Sequence, residues 1–150
     1  MAELVLRPAI PAMSEAAIAR VRAFEIQALG HPQVAIATDH VIHGGMYART
    51  IMVPAGVVLT GALIKLATLL IVSGDADVYV GGAALEARGY CVLPASAGRK
   101  QLIVARTDVH LTMIFPTAAR TVEEAEKEFT DETALLLSRH GGNRITITGE

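Results

Sequence analysis

The chain has 150 residues, 52% of them hydrophobic, and a formal net charge of −2, with a mean hydropathy of +0.44. That length is one ordinary domain. Arg99-Lys100 is the only adjacent basic pair and Trp is absent, so the concentrated basic face and stacking platform of a nucleic-acid binder are excluded. A lone cysteine, Cys91, excludes an intrachain disulfide.

In chain order, residues 1–12 hold Pro8 and Pro11 and read as an extended arm. Its Val5, Leu6 and Ile10 would pack on a neighbouring subunit or fold back on the same domain. Glu3 and Arg7 interrupt the start and no apolar run follows, so no secretory leader is expected. Ser14 caps a helix running to Leu29, with Glu15 at the positive end of its dipole and Ile18, Val21, Phe24 and Leu29 near the helical period. Gly30 ends it and Pro32 prevents its resumption. Gln33 to Ile36 reads as a short edge strand. After the Gly44-Gly45 turn, Tyr47, Arg49, Ile51 and Val53 share one strand face, and Met46, Ala48, Thr50 and Met52 share the other. Pro54-Ala55-Gly56 is a turn. Val57 to Leu59 and Leu63 to Val72 read as strands. The second is the longest apolar stretch when counted from Ala62, but it holds Lys65 and falls short of the ~20 residues of a membrane helix.

Ser73-Gly74-Asp75 is a hairpin signal before Asp77 to Val80, and Gly81-Gly82 turns the chain again. Leu85 to Arg88 and Tyr90 to Leu93 follow. Gln101 to Ala105 and Val109 to Phe115 are expected to pair around Arg106-Thr107-Asp108. Turn signals every ~8–12 residues indicate a sandwich or barrel. Thr121-x-x-Glu124 is a capping box for an acidic helix from Val122 to about Phe129. Thr130 or Asp131 would cap a second helix through Arg139, ended by Gly141-Gly142. Ile145 to Thr148 alternates, and must join the barrel edge, join a partner's sheet, or be disordered. The expected organisation is a single domain: an N-terminal arm and helix (1–45), a barrel (46–116), and C-terminal helices with a tail (117–150).

Residues 46–115 resemble the cupin family. The resemblance rests on Pro54-Ala55-Gly56, on Val72-Ser73-Gly74, and on Gly89-Tyr90-Cys91-Val92-Leu93-Pro94-Ala95. More closely, His31-Pro32-Gln33-Val34, Tyr47 to Gly56, Gly98-Arg99-Lys100 and the acidic segment Glu123 to Glu128 look like small cupin-like proteins of phages and prophages. The resemblance implies a mainly β fold, a double-stranded β-helix (cupin or jelly-roll barrel), here with an N-terminal helix and C-terminal acidic helices. Cupins hold a divalent metal through two histidines and a glutamate in a first motif and one histidine in a second, donors suited to Mn, Fe, Ni or Zn. The matching positions here are Ala62 and Ile64, or Ile64, Ala67 and Thr68, with Arg99 in place of the second-motif histidine. The family's metal site is therefore expected to be missing, and no cofactor is expected.

Other residues offer donors for a relocated site. His40 and His43, beside Asp39, are metal candidates only if a third ligand such as His110 comes close; on a regular strand the first two point to opposite faces. Ligand-binding candidates are Lys65, inside an apolar stretch, and Arg99 with Lys100 at a glycine turn; the plainer readings are a snorkelling lysine and a solvated turn. Arg49 would pair with Glu86 or another acid. The cluster Glu123, Glu124, Glu126 and Glu128 reads as a solvated or interface face. No G-x-S-x-G, P-loop or H-E-x-x-H pattern occurs.

The favoured expectation is a non-catalytic, metal-free barrel that self-associates, through its terminal arms or otherwise. The phage resemblance implies a structural or accessory role, with phage structural proteins as partners, no nucleic acid, no membrane, and a cytoplasmic or virion location. The apolar excess supports it, because uncovered apolar surface marks interfaces. The alternative is a small-molecule module whose cavity, about 300 Å³ or more, is apolar with one cation; a barrel filled by Leu63, Leu66, Leu69, Ile71, Val78 and Val80 would exclude it. A third reading is a metalloenzyme using His40, His43 and His110.

Overall fold

The computed structural model of the chain describes residues 2, 4 and 7–150. The N-terminal helix α1 spans Glu15–Ala28, with the Ser14 hydroxyl accepting from the Ala17 N–H. It buries Ala17 and Val21 only; Ile26 and Leu29 face solvent, so its apolar face is narrower than the sequence spacing suggests.

Ten strands follow: β1 (Thr38–His43), β2 (Met46–Val53), β3 (Val58–Thr60), β4 (Thr68–Ser73), β5 (Ala76–Tyr79), β6 (Ala84–Ala87), β7 (Tyr90–Ala95), β8 (Leu102–Ala105), β9 (Val109–Pro116) and β10 (Asn143–Ile147). Between β9 and β10 lie α2 (Val122–Phe129) and two 3₁₀ turns, Thr133–Leu135 and Leu137–His140. The strands form a six-stranded sheet in the order β10-β1-β2-β9-β4-β7 and a four-stranded sheet in the order β3-β8-β5-β6. The orders 2-9-4-7 and 3-8-5-6, antiparallel throughout, are the two halves of a jelly roll. The double-stranded β-helix is thus the observed architecture. Its core lies between the sheets and includes Tyr47, Val53, Val72, Val78, Leu93 and Phe115.

Two expected hairpins are instead crossings between sheets. Ser73-Gly74-Asp75 carries the chain from β4 in the large sheet to β5 in the small one, and Arg106-Thr107-Asp108 carries it back from β8 to β9. The crossings lie against each other: Arg106 N–H donates to the Asp75 carbonyl at 2.8 Å and Asp75 N–H to Thr107 Oγ1 at 3.0 Å. Gly74 sits at φ +120°, and a Cβ there would lie 2.5 Å from the Asp108 carbonyl oxygen. Only glycine satisfies both the backbone angle and this approach.

The strand expected from Leu63 begins at Thr68. Upstream of it the chain crosses the barrel mouth, tied by Ile64 N–H to Arg99 O and Lys65 N–H to Phe129 O, each 2.8 Å. The inward side chains of β4 are Thr68, Leu70 and Val72; Leu69 is exposed and Ile71 only half-buried, because they occupy the opposite parity.

The large sheet draws strands from outside 46–116. β1 pairs antiparallel with β2, and β10 pairs parallel with β1, so the alternating tail joins the chain's own sheet edge. Gln33 to Ile36 forms no strand. Ile10 of the arm is buried and bridges Ala95, exchanging Ile10 N–H to Pro94 O and Ser96 N–H to Ile10 O, each 2.8 Å. Here the arm folds back on its own domain; Val5 and Leu6 lie outside the described residues.

α2 is capped by Thr121, whose hydroxyl accepts from Glu124 N–H, while the Glu124 carboxylate reaches back to Arg120 N–H. The expected second helix is replaced by the two 3₁₀ turns. Leu136 between them is extended at ψ 144° and buried, because it turns into the barrel mouth rather than continuing a helix.

Candidate functional site

A cavity of about 120 Å³ opens at the barrel mouth. Both sheets line it, and Phe129 with Leu135 to Leu137 forms its cover. Among the described residues its side-chain polar lining is Arg49, Thr60, Arg99 and Gln101; the rest is mostly aliphatic, including Ile51, Leu59, Leu70, Ile103 and Leu111. A drug-sized pocket is roughly 300 Å³ or more, so this one suits a smaller molecule.

Arg99 and Gln101 stand on the segment leading into β8. Gly98, at φ +81°, completes the turn before them. The extended chain then alternates: Arg99 and Gln101 point inward, and Lys100 points the other way toward α1. Arg99 is 1% exposed. Its Nε donates to Gln101 Oε1 at 3.0 Å, Nη1 to the Ser96 and Leu66 carbonyls at 2.7 and 3.2 Å, and Nη2 to Thr68 Oγ1 at 2.7 Å. The last contact of Nη2 is the Met113 sulfur at 3.8 Å, a weak acceptor. Every one of these partners is neutral. Burial pulls the guanidinium down to about 10, far enough above neutral pH that the charge stays.

The second arginine of the cavity is neutralised. Arg49 Nη1 lies 3.0 Å from Glu126, whose carboxylate is fully buried, accepts a hydrogen bond from Ser138 and has Arg139 at 3.0 Å from its other oxygen. Arg49 also lies over the Phe129 ring, 5.5 Å from its centre. The partner of Arg49 is therefore Glu126 and not Glu86, which sits 3.9 Å from Arg88. It follows that Glu126 is not on a solvated acidic face: Val122, Ala125, Glu126 and Phe129 form the buried side of α2.

The network continues to the sheet edge. Tyr47 OH accepts from Arg49 at 3.3 Å and meets His40 Nδ1 at 2.6 Å, while His40 Nε2 meets Asn143 Oδ1 at 2.8 Å. The Asn143 amide nitrogen donates to the Ser138 carbonyl, which leaves its oxygen for His40. His40 thus donates from Nε2 and accepts at Nδ1 as a neutral ring. Burial lowers its pKa, opposed by the Asn143 hydrogen bond.

His43 lies on the other face of β1, exposed, with Nδ1 on the Thr148 hydroxyl at 2.7 Å, and His110 is exposed on β9 opposite Met52 and Ser73. The three histidines are not brought together, and among the described residues no three His, Cys, Asp or Glu side chains converge. At the positions of the family's metal ligands, Ala62 and Ile64 line the cavity and Thr68 holds Arg99. Lys65 points outward to Asp131 at 2.6 Å. Lys100 is buried outside the cavity, clamped between Glu25 of α1 at 3.0 Å and the Gly61 carbonyl at 2.7 Å. Of the three cationic candidates, only Arg99 faces the cavity.

The sequence alone gives Gln101 no role and counts Glu126 into a solvated or interface face. The signal for Gln101 is strand alternation from Arg99. For Glu126 it is the spacing Val122, Ala125, Glu126, Phe129, which places a carboxylate on an apolar helix face, together with an arginine on the inward face of β2.

Comparison by sequence finds no matching family model and no matching curated protein. Among solved structures the chain is similar to a salicylate 1,2-dioxygenase from Pseudaminobacter salicylatoxidans, at 16% identity and a TM-score of 0.48 over 77% of this chain and 35% of that one. The chain spans about a third of that enzyme's length. It is also similar to a cupin superfamily protein from Desulfitobacterium hafniense, at 11% identity and a TM-score of 0.48 over 75% of this chain and 99% of that one. A cupin-2 domain containing protein from Shewanella frigidimarina is 14% identical, with a TM-score of 0.40 over 62% of this chain and 91% of that one. The fold is given by the strand order itself, 2-9-4-7 over 3-8-5-6, which is that of a jelly roll.

Proposed function

We propose that this chain is a non-catalytic, cupin-type binding domain that holds a small anion in its barrel mouth with Arg99 as the counter-charge. The observation that carries this reading is a buried guanidinium, without an acidic partner among the described residues, lining a mostly aliphatic cavity. Burying a charge without compensation is costly, and an anion in the cavity supplies the missing charge. A non-catalytic role is supported by the lining. Two arginines, an amide and a threonine offer no group that titrates near neutral pH for acid–base work. The test is thermal unfolding and calorimetric titration with a panel of small anions. Wild-type protein should be stabilised by at least one of them in a saturable way, and Arg99→Met should not, while Arg99→Lys, which keeps the charge, retains part of the effect. A panel that leaves the wild-type midpoint unmoved at millimolar concentration refutes the reading.

A second reading, self-association, is favoured by the outer face of the large sheet. Across β2, β9, β4 and β7 that face carries no Asp, Glu, Lys or Arg, and Met46, Met52, Leu69 and Tyr90 are exposed on it. A sheet face on which His110 is the one side chain that titrates near neutral pH, and whose exposed residues are largely apolar, suits a second copy of the same chain. Light scattering at high micromolar concentration tests this: a dimer that Leu69→Lys splits supports it, and a strict monomer sinks it. The phage-encoded structural or accessory role rests on the sequence resemblance alone.

A further inference from the structure

We infer that Gln101 is the second half of the anion clamp, and that the occupant is a monocarboxylate with a short aliphatic body. This rests on the reading of Arg99 above. A guanidinium has five N–H donors and no acceptor, so the Gln101 side chain must turn its oxygen to Arg99 Nε and its NH₂ group away. That nitrogen has no hydrogen-bond partner among the described residues and is not sealed from solvent. Gln101 lines the cavity, and its amide N–H groups are free to turn to an occupant there.

Four of the five Arg99 donors are taken by oxygen acceptors. The fifth, on Nη2, rests on the Met113 sulfur, which a charged oxygen would readily displace. The cavity therefore offers one strong donor on a full positive charge and an amide beside it. Two neighbouring donors and one charge match the two oxygens and single charge of a carboxylate. A phosphate or sulfate dianion demands more donors and a second cation, and the only other cation here, Arg49, is already held by Glu126. The walls beyond the donors are Ile51, Leu59, Leu70, Ile103 and Leu111. The volume of about 120 Å³ favours a short chain. The one aromatic wall, Phe129, already packs against Tyr47 and Phe115 and has Arg49 over its ring, so an aromatic acid would have to compete with those contacts.

The experiment is calorimetric titration of wild-type, Gln101→Leu and Gln101→Glu proteins with butyrate, hexanoate, benzoate, inorganic phosphate and sulfate at constant ionic strength. Wild-type protein should take a short aliphatic carboxylate at least tenfold more tightly than benzoate, phosphate or sulfate. Gln101→Leu should weaken carboxylate binding by about 10-fold or more, as loss of a hydrogen bond to a charged group does. Gln101→Glu should abolish binding and raise the unfolding midpoint, because the new carboxylate neutralises Arg99 from within. Carboxylate binding that Gln101→Leu leaves unchanged, or phosphate binding as tightly as butyrate, overturns the inference while leaving Arg99 as an anion site. No binding of any anion to the wild type removes both.

Discussion

Replacing Glu126 by Gln removes a buried charge while keeping the shape of the side chain. In the native protein the carboxylate is fully buried between Arg49 at 3.0 Å, the Ser138 hydroxyl and Arg139 at 3.0 Å. Arg49 is itself almost wholly buried, with a side-chain exposure of 9%. After the substitution its guanidinium has the Gln amide oxygen, the Tyr47 and Ser138 hydroxyls and the face of Phe129, none of which carries charge. Breaking a buried ion pair from one side costs about 3–5 kcal/mol. Arg139 is more than a third exposed, so its share is at most ~1 kcal/mol after solvent screening. Against a total stability on the order of 5–15 kcal/mol for a domain, the Arg49 loss alone is large. With a urea slope of about 2 kcal/mol per molar, the midpoint should fall by roughly 2 M. Far-UV circular dichroism is the assay, since the chain has no Trp. The pair Arg49→Met with Glu126→Leu should recover most of the loss, because apolar side chains of similar volume need no counter-charge. A Glu126→Gln midpoint within ~0.5 M of wild type would refute the claim that this carboxylate compensates Arg49.

Three further outcomes are expected. Gly74→Ala should cost more than ~1 kcal/mol in thermal or urea unfolding, since the new Cβ meets the Asp108 carbonyl at 2.5 Å and the backbone stays at φ +120°; an unchanged midpoint would contradict the crossing geometry. His40, held neutral by burial, has a folded-state pKa below its unfolded value. The unfolded chain therefore takes up that proton first, and the stability present above pH ~6.5 declines as pH falls below it. Unfolding midpoints between pH 8 and 5 should drop in wild type and drop less in His40→Gln; parallel slopes would count against it. Lys65→Ala should change stability by less than about 0.5 kcal/mol and leave anion binding intact, because its ammonium faces solvent beside Asp131. Calorimetry on that variant checks both points.

Much of the frame was readable along the chain. Alternation on β2 put Tyr47, Arg49, Ile51 and Val53 on one shared face, and the structure makes that face the core side. The cap at Ser14 and the cap at Thr121 mark both helix starts, because capping is a contact among residues three apart. The turn at Gly81-Gly82 joins β5 and β6 in one sheet. Other features were not readable locally. Gly74 and Asp108 mark turns, yet whether a turn closes a hairpin or crosses between sheets depends on which strands its arms pair with. The parity of β4 is not legible because Thr68, the one polar residue after Lys65 in the apolar run from Leu63, faces inward to hold Arg99 instead of marking the solvent side. Thr130 carries a helix-cap residue type, but its hydroxyl is used on the Leu63 carbonyl and on Glu132 N–H, and the chain there closes the barrel instead of winding on.

The sequence by itself determined the strand count of the barrel, where its turns fall and its two helix starts. These follow from local periodicity, backbone preference and residue identity. Only the tertiary structure decided which charges meet. Arg49 finds Glu126 across 77 positions, Lys100 finds Glu25 across 75, and Arg99 finds no acid among the described residues and faces the cavity with Gln101 at its side. Such pairings are set by the sum of the strand crossings, so each is a property of the closed barrel and of no single segment.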